Sequence, residues 1–195
     1  MHSFKQFLSE NAAQRITLEQ MLDECKPFID QSHGAFLYRG IQRPEGKFKM
    51  ETPEDYEYAY RMTVRKDRRP LDTDIEDHRA VDEFLKLQYG IAGRSQTVFV
   101  TGDDYVAEGY GEVFLILPRG EFKFLWSPDI GDLAGINIPR GEEMIDVVER
   151  SEFRTDDLHE AIQSGHEIML DCKDYYAIKD SHSMRRMIKI LIAEM

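Results

Sequence analysis

Apolar side chains recur at helical spacing in the first part of the chain, at Phe4, Phe7 and Leu8. Thr17 and Gln20 have the spacing of a capping box, which predicts that a second helix begins there. One face of that helix would carry Leu18, Met21, Leu22 and Cys25. The pattern predicts helices over residues 3–31 and an N-terminal helical region that ends at residue 34.

After residue 34, the pattern of apolar residues changes from helical spacing to one typical of strands. Residues 35–39 (Ala-Phe-Leu-Tyr-Arg) predict a short strand that Gly40 ends. Residues 42–55 are polar and contain two prolines, so they predict a loop. Aromatic side chains alternate loosely over residues 56–64, which predicts another strand.

The middle of the chain contains a second amphipathic segment. Thr73 and Glu76 predict a capping box, and Gly90 predicts the end of the helix that follows. Its apolar face would consist of Val81, Phe84, Leu85 and Tyr89.

Residues 95–126 are the most informative stretch of the chain, with apolar strand segments on either side of a short helix. A β-rich run ends at Thr101, and Asp103 or Asp104 can cap a short helix over residues 104–109. Strands over residues 113–118 and 122–126 follow.

The C-terminal part predicts helices over residues 144–148 and 156–163 and a closing amphipathic helix over residues 184–192. Residues 167–170 and 175–178 predict a hairpin or strand pair. Helices come first in the chain, and the later strands have few helices between them. This order favours an α+β fold with a mostly antiparallel sheet over a doubly wound parallel one.

The composition narrows the possible functions. The chain has 195 residues, which fits one domain, and a net charge of -12, without a stripe of basic residues. Affinity for duplex nucleic acid is disfavoured, because neutralisation of phosphates supplies most of such binding. An acidic surface suits a basic protein partner, or it simply keeps the protein soluble.

Several classes of site and segment find no support in the sequence. Cys25 and Cys172 are far apart and predict two reduced core thiols. The six histidines show no metal-ligand spacing, so we expect no metal. The N-terminus has no apolar core typical of a signal peptide, and no apolar run is long enough for a bilayer, so we expect no membrane contact.

Three positions are candidates for chemistry, and each has a purely structural alternative. Arg39 ends a strand and can grip a diphosphate with its forked guanidinium, or it is an edge arginine paired with a carboxylate. Thr101 offers a hydroxyl where strand gives way to helix, beside tyrosines that hold a flat ring or pack into the core. Glu167 can stabilise positive charge on a sugar, or it is a plain carboxylate at the start of a strand.

In this order the three residues give the chain its resemblance to the ADP-ribosyltransferase superfamily, whose members carry an Arg-Ser-Glu arrangement. The matching segments are residues 36–40 (Phe-Leu-Tyr-Arg-Gly), 98–101 (Val-Phe-Val-Thr), 107–111 (Ala-Glu-Gly-Tyr-Gly) and 167–170 (Glu-Ile-Met-Leu). The likeness spans roughly residues 35–180 in segment order. It implies a split, two-sheet antiparallel core with flanking helices over residues 35–195 and NAD in the cleft between the sheets.

The resemblance also implies roles for individual residues. Catalysis would fall to Glu167, and Thr101 would stand where the family usually has serine and would position Arg39 and Glu167. The cofactor-binding residues would be Arg39 and Gly40 at the phosphates, Tyr110 and Tyr105 on the helix near the nicotinamide, and Arg94 as a further phosphate or structural contact.

Two departures from the family pattern concern the acceptor and the middle strand. Gly102 and Asp103 follow Thr101 where many relatives have a Ser-Thr-Ser run, although threonine keeps the hydroxyl. Gly165 stands where arginine-modifying members place a second glutamate, which leaves the acceptor open. His166 tunes the choice of acceptor or is a loop histidine. Residues 155–166 precede the glutamate, where the family has its substrate-recognition loop.

The sequence therefore predicts a mono-ADP-ribosyltransferase that uses NAD and modifies a protein or nucleic-acid acceptor in the cytoplasm (the host cytoplasm if the chain is phage-borne). Its size and acidity fit a phage or bacterial effector as well as a housekeeping protein. Three alternatives stay open: an NAD glycohydrolase with water as acceptor, a relative that binds a nucleotide without turnover, and a non-catalytic acidic protein that occupies or inhibits a basic partner.

Overall fold

The computed structural model describes residues 17–42, 59–69 and 73–195. The predicted helical positions Phe4, Phe7 and Leu8 and most of the predicted loop over residues 42–55 lie outside these ranges. The described helices are α1 (Leu18–Glu24), α2 (Lys26–Ser32), α3 (Ile75–Tyr89), α4 (Asp104–Glu108), α5 (Met144–Arg150), α6 (Leu158–Ser164) and α7 (His182–Glu194). The described strands are β1 (Tyr38–Ile41), β2 (Ala59–Thr63), β3 (Val98–Val100), β4 (Glu112–Pro118), β5 (Phe122–Trp126), β6 (Ile168–Cys172) and β7 (Asp174–Lys179).

The strands form two sheets. The four-stranded sheet has the order β1-β4-β7-β2, and the three-stranded sheet has the order β3-β6-β5. Every pairing within the two sheets is antiparallel. The predicted α+β class with antiparallel pairing is therefore confirmed for the described residues.

Within the described ranges, an isolated antiparallel bridge between Tyr38 and Thr101 links the backbones of the two sheets. The Tyr38 amide donates to the Thr101 carbonyl at 2.7 Å, and the Thr101 amide donates to the Tyr38 carbonyl at 3.0 Å. This bridge fixes the start of β1 against the end of β3. It thereby brings Arg39 to the middle strand that the sequence singled out.

The predicted hairpin of β6 and β7 is wrong. β6 pairs with β3 and β5, whereas β7 pairs with β2 and β4. Only Lys173 separates the two strands. A hairpin needs at least two loop residues to reverse the chain, so the chain instead passes from one sheet into the other.

The strand predicted over residues 35–39 is shifted. It runs from Tyr38 to Ile41 and continues through Gly40, which was expected to end it. A Cβ at Gly40 would lie 2.1 Å from the Ala107 carbonyl oxygen of α4. The glycine is needed there because the backbones of β1 and α4 approach closely.

Helix caps explain several boundaries. The capping box of Thr17 and Gln20 is confirmed, as is the end of α3 at Gly90, which adopts a φ of 73°. The box predicted for Thr73 and Glu76 is wrong, because Asp74 caps α3 and accepts from the Glu76 amide at 2.7 Å. Asp74 is the residue directly before the helix, where its short carboxylate reaches the free amides.

Apolar packing joins the N-terminal helices to both sheets. Leu22 and Phe28 of α1 and α2 share one buried cluster with Leu115 of β4 and Leu170 of β6. A second cluster includes Val81 and Leu85 of α3, Leu125 of β5 and Val148 of α5. Burial of this apolar surface is the main force holding these layers together.

Both cysteines are buried and neither forms a disulfide. Burial raises the pKa of the Cys172 thiol to about 12 and shifts that of Cys25 in the same direction. They behave as small core residues rather than as nucleophiles. None of the described helices combines the length and apolar character needed to cross a bilayer.

Candidate functional site

Arg39 lies in an enclosed position between the sheets. Its Nη1 donates to the carbonyl of Phe99 on β3 at 2.7 Å. Burial holds the pKa of Arg39 below its usual value, while Tyr175 and Glu167 act in the opposite direction. Arg39 is therefore held by a backbone carbonyl and lies within electrostatic range of Glu167, unlike a solvated edge arginine.

Two more guanidinium groups gather on the ring of Phe99. The guanidinium carbon of Arg68 lies 4.0 Å from the ring centroid, and that of Arg94 lies 5.8 Å from it. Cations are attracted to the face of an aromatic ring by its quadrupole. Phe99 thus brings three arginines together. The Phe99 carbonyl holds Arg39, and the Phe99 ring attracts Arg68 and Arg94. We call Arg39, Arg68 and Arg94 the arginine cluster.

The arginine cluster has unused hydrogen-bond donors. Nη1 of Arg68 and Nε of Arg94 are buried and have no hydrogen-bond partner among the described residues. Burial, together with the neighbouring charges of Arg39 and Arg94, lowers the pKa of Arg68 to about 10. Unpaired buried donors and mutual repulsion are both costly, and an anion bound among them would relieve both.

Arg94 is only 5% exposed, and hydrogen bonds hold both its backbone amide and its guanidinium. Asp82 of α3 accepts from the Arg94 amide at 2.8 Å, and its second oxygen accepts from the Ser95 hydroxyl at 2.6 Å. Nη2 of Arg94 donates to the Thr73 hydroxyl at 3.0 Å. Asp82 is thus engaged with the backbone amides and a hydroxyl around Arg94 rather than with its guanidinium.

An open depression of about 390 Å³ adjoins the arginine cluster at Thr73. Arg69, Ile75 and Arg79 form the rest of its described lining. The depression therefore combines an apolar surface with two exposed cations.

Glu167 faces the arginine cluster from the turn before β6. Its amide donates to the Gly131 carbonyl at 2.8 Å, while its Oε1 is buried and has no hydrogen-bond partner in the part of the chain that the structure describes. Burial and the negative charge of Asp132 raise the pKa of Glu167 to about 7, although Arg94 and Arg68 act against them. The Leu133 amide donates a hydrogen bond to the carboxylate and acts against this rise. A buried carboxylate whose pKa is raised towards neutrality is typical of functional sites.

Thr101 connects the middle strand to the glutamate segment. Its hydroxyl donates to the Gly165 carbonyl at 2.6 Å and accepts from the Asp103 amide at 3.1 Å. Its backbone pairs with Tyr38, the neighbour of Arg39. Thr101 is therefore placed to position the segments that carry Arg39 and Glu167. None of these bonds involves the side chain of either residue.

Gly102 permits a second close approach in this region. A Cβ at this position would lie 1.7 Å from the carbonyl oxygen of Ile162 in α6. The turn after β3 therefore packs directly on the helix that leads to Glu167. The departure from the Ser-Thr-Ser pattern at Gly102 thus has a steric reason in this chain.

The two predicted tyrosines occupy different surroundings. The Tyr110 side chain is 54% exposed, and its hydroxyl donates to Asp132 Oδ2 at 2.7 Å. The Tyr105 side chain is 80% exposed, so the structure does not bring it into the buried arginine cluster. Neither tyrosine packs into the core, as their exposed fractions show.

The loop before Glu167 is held by His166. Nδ1 of His166 donates to the Ser127 carbonyl at 2.9 Å, because a carbonyl can only accept. The hydroxyl of Ser127 in turn accepts from the amides of Asp129 and Ile130, both at 3.1 Å. His166 therefore fastens the glutamate segment to the loop that carries Asp132.

Arg68, Phe99 and Asp132 were missed as site residues at the sequence level. Arg68 belongs to the basic run over residues 65–69, which has acidic neighbours and the pattern of an exposed, solvated segment. Phe99 was expected only as part of a strand, and Asp132 lies in a stretch without a clear pattern. Their roles depend on contacts between residues far apart in the chain, and no local signal indicates them.

Known proteins provide no further guide to this arrangement, since no family model, no curated protein and no solved structure matches the chain. Among the described residues, no group of three histidine, cysteine or acidic side chains is placed to hold a metal ion. The chemistry must therefore be argued from the arginine cluster, the aromatic rings and Glu167.

Proposed function

We propose that the chain is a mono-ADP-ribosyltransferase that cleaves the nicotinamide–ribose bond of NAD and transfers ADP-ribose to a macromolecule. The observation that carries the proposal is the convergence of the arginine cluster and Glu167 around Phe99. The cluster matches a diphosphate in charge, and forked guanidinium groups bind phosphate oxygens in pairs. The sheets joined at Tyr38 and Thr101 are compatible with the split core of this superfamily.

Glu167 supplies the anion that the reaction needs. When the glycosidic bond breaks, its electron pair leaves with the nicotinamide nitrogen and neutralises the pyridinium, while positive charge develops on the ribose. An ionised carboxylate beside the ribose accepts a hydrogen bond from a ribose hydroxyl and stabilises this positive charge. The acceptor then attacks the same ribose carbon and loses a proton.

The remaining residues position these groups. Thr101 holds the carbonyl of Gly165, two residues before Glu167, and Gly40 lets β1 approach α4. Tyr110 offers an exposed ring near Asp132 and Glu167 for the nicotinamide. Since NAD is an intracellular metabolite, we expect the reaction to take place in the cytoplasm.

The proposal is tested with NAD labelled in its adenylate part, a cell lysate and separate measurement of free nicotinamide. We expect the wild-type protein to release nicotinamide and label macromolecules, and E167Q to lose both by a few orders of magnitude. Release without label would identify a glycohydrolase. The absence of both reactions, combined with recovery of a basic protein by the acidic chain, would favour the non-catalytic alternative.

A further inference from the structure

Helix α4 carries an unusual amount of exposed apolar surface for five residues. The side chains of Tyr105, Val106 and Tyr110, at the helix or just after it, are 80%, 43% and 54% exposed, whereas Ala107 is buried against β1. Single exposed apolar residues are common, but adjacent ones mark interaction sites.

Acidic side chains flank these residues. Within the described ranges, Asp103, Glu108 and Asp132 form no ion pair, whereas the neighbouring Asp104 is paired with Arg185 at 2.5 Å. We call Asp103, Tyr105, Val106, Glu108, Tyr110 and Asp132 the α4 surface. Its charge complements a cationic partner and repels the phosphates of a nucleic acid.

The α4 surface is continuous with the segment that carries Glu167. Tyr110 donates to Asp132 at 2.7 Å, and the charge of Asp132 acts on Glu167. On the other side, a Cβ at Gly165 would lie 3.5 Å from the Cβ of Asp103. A partner that covers the α4 surface is therefore brought close to the segment that carries Glu167.

We propose that the α4 surface docks a basic polypeptide segment of the acceptor, so that the substrate class is a protein rich in arginine and lysine. This inference rests on the proposed transferase function. Guanidinium and ammonium groups stack on exposed tyrosine rings, and the flanking carboxylates bind the same groups through charge. Exposed tyrosines also stack on nucleobases, but the net charge of -12 and the three carboxylates that form no ion pair within the described ranges repel a phosphate-bearing partner.

The test uses a synthetic peptide that contains arginine and lysine, and a version of it with glutamate in their place. E108K reverses one flanking charge without touching the arginine cluster or Glu167, and E83K makes the same change on the exposed face of α3. We expect E108K to lower kcat/KM for labelling of the basic peptide at least tenfold and to leave nicotinamide release without peptide unchanged. E83K should behave like the wild-type protein.

Binding of the peptide, followed by fluorescence anisotropy, decides the matter independently of catalysis. We expect Y105A and E108K to weaken binding at least threefold, added salt to weaken it further, and the glutamate peptide not to bind. Equal binding by wild type and E108K, or preferential labelling of RNA, would overturn the docking proposal. If no variant releases nicotinamide but the peptide binds as expected, the proposed catalysis fails while the docking surface stands.

Discussion

The Thr101 hydroxyl donates to the Gly165 carbonyl at 2.6 Å across 64 positions of the chain. The same residue forms the bridge between the two sheets through its backbone. A change at Thr101 is therefore transmitted to β1 through the backbone and to the glutamate segment through the side chain. This gives the threonine a positioning role without any contact with the ligand.

Replacing Thr101 by valine should separate these two roles. T101V keeps the shape but leaves the Gly165 carbonyl and the Asp103 amide without their buried partner, which costs about 2 kcal/mol of stability. We also expect kcat to fall about tenfold because Glu167 loses its support. T101S keeps the hydroxyl and should retain most of both. Denaturant unfolding and nicotinamide release measure the two effects, and equal kcat in T101V and wild type would remove the positioning role.

Arg68 should be a destabilising residue in the free protein. One of its buried donors finds no partner among residues 17–42, 59–69 and 73–195, and it lies beside two like charges. R68M removes the charge and keeps apolar contact with Phe99, so we expect the free energy of unfolding to rise by about 1 kcal/mol. The control is R65M, because Arg65 is exposed and its 3.6 Å ion pair with Asp67 is worth little. A loss of stability in R68M alone would show that Arg68 serves the fold.

The raised pKa of Glu167 gives stability a predictable pH dependence. Its ordinary value is 4.5 and its value in the fold is about 7, so its contribution to stability is fully present below pH 4.5 and is lost as pH rises through 7. Glutamine does not ionise, so E167Q does not lose stability as the pH rises. Its free energy of unfolding should exceed that of the wild type by about 2 kcal/mol at pH 8, allowing for partial solvent screening. E83Q is the matched control. Parallel stability curves for wild type and E167Q between pH 4 and 8 would contradict the burial argument.

Activity should depend on pH in the opposite sense. The proposed reaction needs the ionised form of Glu167, and kcat/KM reports the pKa of the free enzyme. We expect log kcat/KM for nicotinamide release to rise with a slope of about one below pH 7 and to level off above it. A profile that is flat between pH 5 and 8 would show that Glu167 does not act as an anion.

Local patterns predict the fold where they carry a complete physical signal. The capping box at Thr17 and the caps at Asp103 and Gly90 supply hydrogen-bond partners to the free backbone groups at helix ends. The structure shows all three as expected. Antiparallel pairing likewise follows from the order of the elements. The α+β class could therefore be read from residues that act over a few positions.

Long-range choices could not be predicted in the same way. The chain passes from β6 to β7 through Lys173 because the two strands join different sheets. The alternation of apolar and polar residues along each strand would be the same if they paired as a hairpin. Arg68 and Asp132 become site residues only because Phe99 and Glu167 lie near them in space. Arg39, Thr101 and Glu167 could be selected because their order along the chain resembles an Arg-Ser-Glu arrangement, although each also has a purely structural alternative.

Binding of NAD tests the central claim, that separate segments of the chain form one site for a dinucleotide. In a calorimetric titration of E167Q, which cannot turn NAD over, we predict one NAD bound per chain. The affinity should be unchanged by an added R65M substitution and at least tenfold weaker with R68M. NAD at 100 times its dissociation constant should also raise the free energy of unfolding by about 2.7 kcal/mol. No heat of binding, or equal affinity in the R68M and R65M proteins, would contradict the account.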